Sequence, residues 1–394
     1  MLGTIRRWSI VSLAMALCGL STARAEDVVK VGMIMSQSGP FGIYGTYTQR
    51  GIDMFIDKFG DKVGNTKIEV VWRDEAGGPE HSKTAAQELI VSEGVQFLAG
   101  FNLTPDAFAV APLINQSKTP TLLLTAASGN ITRMSPYFAR LSFTVWQSTY
   151  TAAMWAPKHG LKTAVFAYSD FAPGVDGLNA FKAALPKAGG DLIGAVPMPL
   201  STTDFGAYVQ KIRDMKPEFV FLYVPNGPPQ VSFIKAFASY GLPAAGIKLI
   251  AAADEMDLPA IGDAGLGVLS VWHYSPDLPN EENKQFVAAY HKKYGENEMP
   301  NFQVVASYDA MQAIASVIQK LGPKFTGDQA IDALKGWKIN SVRGPIEIDP
   351  VERDIIQNQY VRVIEKSPSG GVRSHTLETI PMVADPWKAL NPPK

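Results

Sequence analysis

The sequence predicts an α/β protein built from two mostly parallel sheets, with helices packed on their faces. Short apolar runs alternate with segments that carry apolar residues at helical spacing along most of the chain, and this alternation is typical of right-handed βαβ units. The alternation starts afresh after Trp146. Two sheets of five or six strands are therefore favoured over a single sheet of about ten strands.

The elements of the first half follow from periodicity. Val28–Ile34 is almost continuously apolar, as expected of a strand buried on both faces. Apolar residues recur at positions 52, 55, 56 and 59, which lie on one face of a helix. The further predictions are strands at 68–72, 95–99 and 121–125, a helix around 85–90, and a helix from Thr104 to about Ser117.

The second half repeats the alternation. Its predicted strands are 163–168, 191–198, 219–224, 247–251, 267–271 and 359–364. Its predicted helices are 175–188, one around 205–212, 230–240, 281–294 and 302–321. The proline-rich end of the chain is predicted to be irregular.

The first 25 residues have the pattern of a secretory signal peptide. Arg6 and Arg7 precede an apolar run that is too short to span a bilayer, and Ala23-Arg24-Ala25 is a small-residue cleavage site. We expect export to the periplasm and a mature chain that begins at Glu26. A twin-arginine signal at the arginine pair and lipidation of Cys18 are less favoured alternatives.

The composition limits the function. Cys18 is the only cysteine and lies in the leader, so the mature chain has neither a disulfide nor a thiolate metal site. The chain has 36 basic and 37 acidic residues, and three of the arginines lie in the leader. The small negative charge that remains argues against a nucleic-acid partner.

The sequence lacks the common signatures of catalysis. It has no G-x-S-x-G, H-E-x-x-H or Walker motif, and its five histidines are scattered. No histidine pair or carboxylate run has the spacing of a zinc or calcium site. We therefore predict a protein that is not an enzyme and that needs no cofactor and no metal. An exported hydrolase or a nucleotide-dependent enzyme is the least favoured alternative.

Ligand binding is better supported, because loops at the carboxyl ends of parallel strands are the usual ligand sites of open α/β sheets. In the first half, the candidates are Tyr44 in the glycine-containing loop 36–47, then Phe101, Asn102 and Thr104, and then Ala126 and Ser128. In the second half they are Phe171, as an aromatic wall, and Asp254 or Glu255, as partners for a ligand ammonium group. For each residue, a purely structural role remains the alternative.

These segments, in this order, resemble the type I periplasmic binding proteins that serve branched-chain amino acid ABC transporters. The resemblance rests on Val31–Gly45, Gly51-Ile52-Asp53, Ala109–Leu113 with Pro120, Ala126–Ser128, Tyr168–Gly174 and Gly344-Pro345-Ile346. It implies two Rossmann-like lobes joined by three crossovers. The first lobe would hold 26–145 plus 275–345, and the second 146–274 plus 346–394.

The resemblance also implies how the protein works. A small carboxylate would bind between the lobes, the lobes would close by hinge motion, and the closed form would dock on the ABC permease in the membrane. We expect a monomer. In amino acid-binding members the first lobe grips the ligand carboxylate through two loops; Ala126 and Ser128 match the second of these loops, and Thr104 lies near the first.

Departures from the family pattern bear on the ligand. Phe101–Pro105 replaces a serine run, Phe171 stands where tyrosine is usual, and the acid that holds the ammonium group has no clean match. These departures resemble members that bind aromatic carboxylates such as benzoate derivatives, which is the preferred ligand class. An aliphatic amino acid is the alternative, and a ligand-sensing receptor domain is a less favoured one.

Overall fold

The computed structural model describes residues 26–75, 78–368 and 370–392, so the predicted signal peptide lies outside the described residues. The strands within these ranges are β1 Asp27–Met35, β2 Lys62–Val63, β3 Thr66–Asp74, β4 Phe97–Gly100, β5 Thr121–Leu123, β6 Phe138–Arg140, β7 Thr163–Ser169, β8 Asp191–Met198, β9 Phe219–Tyr223, β10 Lys248–Ala251, β11 Leu269–Trp272, β12 Lys338–Ser341, β13 Gly344–Ile348, β14 Ile355–Lys366 and β15 Val372–Val383.

The helices in the same ranges are α1 Gly42–Phe59, α2 Pro79–Val91, α3 Thr104–Ser117, α4 Ile131–Met134, α5 Val145–Trp155, α6 Ala172–Ala184, α7 Gly206–Met215, α8 Pro228–Ser239, α9 Leu258–Ile261, α10 Glu281–Tyr294, α11 Phe302–Leu321, α12 Gly327–Leu334 and α13 Pro386–Leu390. None of these helices combines the length and the apolarity that crossing a membrane requires.

The first sheet has the order β2-β3-β1-β4-β5-β6. All of its pairs are parallel except β2 with β3. Val31 in β1 pairs with Val70 on one side and with Phe97 on the other. Because β1 has a partner on each edge and helices on each face, its side chains from Met33 to Met35 are almost completely buried, as the apolar run predicts.

The second sheet has the order β12-β13-β14-β11-β10-β9-β7-β8, and β15 also pairs with β14. Strands β7 to β11 are parallel, and β12 to β15 extend the sheet in antiparallel fashion. In each sheet the five parallel strands, numbered along the chain, have the order 2-1-3-4-5, which confirms two doubly wound lobes.

The chain crosses between the sheets three times: after β6, after β11 and after α12. Helices α10 to α12 return to the first sheet, where Gln303 donates to Thr48 at 2.8 Å and Tyr137 donates to Asp328 at 2.7 Å. Strands β12 and β13 then pair within the second sheet, so the predicted boundary at residue 345 falls inside β13. The lobe boundaries as a set stay a prediction.

A buried arginine joins the first and third crossovers. Arg343 lies 2.8 Å from Asp309 of α11, and its Nη1 donates to the carbonyl of Ser142 at 3.1 Å and to Gln357 Oε1 at 2.7 Å. The arginine and the aspartate are both excluded from solvent. Removing one partner of such a pair leaves a buried charge uncompensated, which is strongly destabilising. This network therefore holds the connecting segments in place.

The prediction of an irregular carboxyl end was wrong. Strand β14 is longer than predicted and forms an antiparallel hairpin with β15. Residues 372–383 are mostly exposed or half-buried and mix charged, polar and apolar side chains, so no apolar run or alternation reveals the strand. The strands β2, β6, β12 and β13 were not predicted either, because with two to five residues each they are too short to show a clear periodicity.

Candidate ligand-binding cleft

The cleft lies where strand order reverses in both sheets. In a 2-1-3-4-5 sheet the switch point falls between strands 1 and 3, here β1 and β4 in the first lobe and β7 and β9 in the second. The chain segments that follow these strands face one another across a cavity. It is lined by Tyr44, Asn102, Leu103, Thr104, Thr125, Ala127, Phe143, Phe171, Pro173, Tyr223, Val224, Pro225, Asn226, Ala252, Trp272 and Phe302.

A tight turn after β4 shapes the first-lobe side. Gly100 has φ +122°, and a Cβ there would lie 1.9 Å from the carbonyl oxygen of Ile34. Phe101 follows with φ 66°, a conformation that is costly for a bulky residue, and its ring is fully buried. Its carbonyl accepts from the amide of Ala126 at 3.0 Å, so the loops after β4 and β5 are tied together.

Thr104, the first residue of α3, is a hydrogen-bond donor to the cleft. Its Oγ1 accepts from the amides of Ala127 at 3.2 Å and Ser128 at 3.3 Å. A hydroxyl has two lone pairs and one proton, so these two bonds use its acceptor capacity. Its proton has no acceptor among the described residues, and it is therefore available to a ligand in the cleft.

Asn102 rests on a buried acid that the sequence analysis did not identify. Glu75, at the end of β3, accepts from the amide of Asn102 at 2.6 Å and from the hydroxyl of Ser36 at 3.3 Å. Burial raises the pKa of Glu75 well above its usual range. The protonated form is therefore favoured, and it presents no negative charge behind this side of the cleft.

Tyr44 and Asn226 meet across the cleft. The Tyr44 hydroxyl lies 3.5 Å from the Asn226 carbonyl oxygen. The Asn226 side-chain amide donates to the carbonyl of Ala252 and to Asp257, both at 2.7 Å. Because both of its N–H groups are used, only its Oδ1 remains, and it can accept from a ligand hydroxyl.

Aromatic rings form the walls. Phe171 and Tyr223 are nearly parallel on the second-lobe side, with ring centroids 6.5 Å apart. Phe143, Trp272 and Phe302 pack together where the crossovers meet, with Phe143 and Trp272 centroids 4.7 Å apart. The indole Nε1 of Trp272 is buried and has no hydrogen-bond partner among the described residues. A ligand acceptor would remove the free-energy cost of that unpaired donor.

No charged side chain stands among the residues that line the cleft. Asp254 is buried away from it, and burial raises the pKa of Asp254 well above its usual range. Glu255 lies 3.1 Å from the buried guanidinium of Arg362. Burial also raises the pKa of Asp257, to about 7. Burial therefore favours the protonated forms of Asp254 and Asp257, and Glu255 is paired with an arginine.

Comparison with known proteins gives the relationship. A model of the periplasmic binding protein family matches residues 28–370. The chain belongs to this family. The Leu/Ile/Val-binding protein homolog 6 of Brucella melitensis biotype 1 is 41% identical over 386 residues, which cover 97% of this periplasmic binding protein and 99% of the relative.

Solved structures resemble this periplasmic binding protein closely. The solute-binding protein of an ABC transporter from Rhodopseudomonas palustris HaA2, in complex with p-hydroxybenzoic acid, is 41% identical with a TM-score of 0.89 and covers 93% of this chain and 100% of its own. A second, from strain BisB5 in complex with 3,4-dihydroxybenzoic acid, is 40% identical with a TM-score of 0.88 and covers 92% and 100%. The predicted fold and family are confirmed.

The structure brings some of the predicted site residues together. Tyr44, Asn102, Thr104 and Phe171 line the cleft, whereas Phe101, Ala126, Ser128, Asp254 and Glu255 do not. Ala127 faces the cleft in place of its two neighbours, whose backbone groups bond to residues behind it. Whether the lining residues bind ligand stays a prediction.

Sequence reasoning missed Phe143, Trp272, Phe302 and Asn226. The first three come from crossovers and a helix start, which are far apart in sequence and carry no local ligand signal. Asn226 lies in the segment 223–229, which could be identified as a strand-end loop but not as facing the cleft. Among the described residues, no group of side chains is arranged to hold a metal ion.

Proposed function

We propose that this protein is the solute-binding component of an ABC importer, and that it binds an aromatic carboxylate carrying a ring hydroxyl between its lobes. It delivers the ligand to a membrane permease and catalyses no reaction. The observation that carries the proposal is the chemistry of the cleft: aromatic walls, neutral hydrogen-bonding groups and no charged side chain.

An aromatic acid fits this lining better than an amino acid. The ring of such a ligand stacks between Phe171 and the cluster around Trp272, where aromatic contacts are favourable. The carboxylate accepts from the Thr104 hydroxyl and the Trp272 indole, and the ring hydroxyl donates to Asn226. The ammonium group of an amino acid would need a carboxylate partner, and none lines the cleft.

The relatives support both candidates to different degrees. Two solved relatives at about 40% identity bind hydroxybenzoic acids. The curated relative at 41% identity is named for leucine, isoleucine and valine, which supports the alternative of an aliphatic amino acid. The uncharged lining favours the aromatic acid.

The proposal extends to the rest of the transport cycle. The leader directs export and is cleaved after Ala25, and the mature protein works as a monomer in the periplasm. The lobes close around the ligand by hinge motion. Two hydrogen bonds between the lobes stabilise the closed form: Tyr44 with the Asn226 carbonyl, and the Gly129 amide with Asp176 at 3.1 Å.

A ligand panel tests the proposal. The mature protein, denatured and refolded to remove copurified ligand, is titrated calorimetrically with 4-hydroxybenzoate, 3,4-dihydroxybenzoate, benzoate, leucine and valine. We expect micromolar or tighter binding of the hydroxybenzoates, weaker binding of benzoate, and no chemical change in the recovered ligand. Tight binding of leucine without binding of any aromatic acid would support the alternative and contradict the proposal.

A further inference from the structure

A buried guanidinium lies directly behind the loop that faces the cleft. Arg140, at the end of β6, is fully excluded from solvent. It donates to the carbonyl oxygens of Ala126 at 3.0 Å, Ser128 at 2.6 Å and Phe143 at 2.9 Å. One side chain therefore fixes the orientation of two peptide groups in the loop 126–129.

The N–H ends of these two peptide groups point away from Arg140. The carbonyl of Ala126 and the amide of Ala127 belong to one peptide group, and that amide donates to Thr104 Oγ1. The same holds for Ser128 and Gly129, whose amide donates to Asp176 of the other lobe. A cation at the carbonyl end of a peptide group polarises its N–H, and hydrogen bonds in a chain strengthen one another.

From this chain of contacts we infer that Arg140 is the positioning residue for the ligand carboxylate, and that it acts through the Ala126–Ala127 peptide group and the Thr104 hydroxyl without touching the ligand. The inference rests on the proposed function. It explains how a cleft without a cation stabilises an anion: the charge is held behind the loop, and the Ala126–Ala127 peptide group and the Thr104 hydroxyl transmit its effect to the carboxylate.

The charges around Arg140 leave it only partly neutralised. Its Nε lies 2.7 Å from Asp354 Oδ1, while the ammonium of Lys388 lies 3.4 Å from the other oxygen of the same carboxylate. Lys388 is also 3.6 Å from Glu352, which forms an ion pair with Arg133. Asp176 and Asp385 also lie within electrostatic reach of Arg140, and burial raises the pKa of both carboxyls, that of Asp385 to about 7. Because Asp354 is shared between two cations and these two acids hold their protons more tightly than usual, part of the positive potential of Arg140 is available to the loop.

The test compares a carboxylate with its neutral isostere. The dissociation constants of 4-hydroxybenzoate and 4-hydroxybenzamide are measured for wild type and for Arg140→Gln, and the ratio of the two constants is the readout. We expect the preference of the wild type for the carboxylate to fall at least tenfold in Arg140→Gln, and Arg140→Lys to keep part of it. A merely structural role would weaken both ligands equally and leave the ratio unchanged.

Two further variants distinguish the electrostatic effect of Arg140 on the ligand from its effect on the stability of the fold. Arg133→Gln disturbs the same ion-pair cluster without touching loop 126–129, so its ratio should match that of wild type. Asp354→Asn removes the counter-charge and should raise the preference for the carboxylate even though it lowers stability. This variant keeps the inference testable if Arg140→Gln does not fold, since an unchanged or lower ratio in Asp354→Asn contradicts the inference.

The outcomes also distinguish this inference from the proposed function. A wild-type protein that binds neither compound contradicts the proposed function and the inference together. A wild type that prefers the carboxylate, with an equal preference in Arg140→Gln, overturns the role of Arg140 and leaves the proposed function standing.

Discussion

The two sides of the cleft share a strand order but differ in chemistry. The first-lobe segments that follow β1 and β4 supply Tyr44 from α1, Asn102, and the Thr104 hydroxyl at the start of α3. The second-lobe loops, after β7 and β9, supply two aromatic rings and the carbonyl-rich turn around Asn226. Topology alone therefore places the cleft, and the residues at the strand ends set the chemistry of each of its sides.

The two sides also differ in how the negative charge of a nearby buried acid is offset. Glu75 lies behind the first-lobe side, and burial favours its neutral form. Glu255 lies behind the second-lobe side and is paired with Arg362. Either arrangement keeps a negative charge from facing an anionic ligand, although the first does so with a proton and the second with a cation.

The largest expected effect is on the first-lobe side, at Thr104. Thr104→Val removes the donor to the carboxylate and leaves two loop amides without their acceptor. We expect affinity for 4-hydroxybenzoate to fall by about 2–3 kcal/mol, about a hundredfold, since hydrogen bonds to charged groups are the strong ones. Calorimetry of Thr104→Val against Thr104→Ser, which keeps the hydroxyl, checks this. Equal affinities in the two variants would contradict it.

The next effect is on the second-lobe side, at Trp272. Trp272→Phe keeps a ring and removes an indole N–H that has no partner among the described residues. We expect affinity to fall by about 1.5 kcal/mol, about tenfold, because the ligand loses one donor to its carboxylate. The melting temperature of the ligand-free variant measures the cost of repacking. Undiminished affinity would show that this indole does not contact the ligand.

A smaller effect is expected at the aromatic wall. Phe171→Leu keeps apolar bulk and removes the ring that lies nearly parallel to Tyr223. Aromatic pairs contribute about 1 kcal/mol beyond their buried area, so affinity for hydroxybenzoates should fall about fivefold. Phe171→Tyr, which keeps the ring, serves as the control. If both variants bind like wild type, the wall does not stack on the ligand.

The smallest effect concerns the carboxyl-terminal helix, which packs against the first-lobe loop. Burial, with the charge of Asp354, raises the pKa of Asp385 from 3.8 to about 7. The folded protein thus holds this proton more tightly than the unfolded chain does. Below about pH 4 the carboxyl is protonated in both states and does not reduce the free energy of unfolding. That free energy falls as the pH rises from about 4 to about 7.

Asp385→Asn isolates this contribution. Asp385 Oδ1 accepts from the Trp387 amide at 3.0 Å, and asparagine keeps that acceptor but does not titrate. The melting temperature of the variant should therefore fall less than that of wild type between pH 4 and pH 7. Asp332→Asn, at an exposed ion pair with Lys335, should follow wild type. Parallel curves for Asp385→Asn and wild type would contradict the prediction.

Much of the fold could be predicted from local pattern. The apolar run Val28–Ile34 becomes β1, because a strand buried on both faces must be apolar throughout. Thr104 begins α3, as its position before proline predicts. Strand β15 could not be predicted, because an exposed edge strand is stabilised by backbone pairing with β14, which leaves no apolar pattern.

The site was predicted at the level of loops and only partly at the level of residues. Thr104 and Tyr44 both line the cleft. The prediction that Tyr44 lies in a loop was wrong, because α1 already begins at Gly42 and Tyr44 lies in its first turn. In the loop 126–128 the central Ala127 faces the cleft, because Arg140 holds the carbonyls of both neighbours. That contact comes from another strand, and nothing in the loop itself reveals it.

The sequence by itself determined the alternation of strands and helices, the strand ends that meet at the cleft, and the absence of cysteine after Cys18. These features depend on near neighbours and on composition. Only the tertiary structure decided that Trp272, Phe302 and Asn226 share a cavity with Thr104, and that Glu255 faces Arg362 instead of a ligand. The physical reason is that burial and charge pairing are set by residues far apart in the chain, which the fold alone brings into contact.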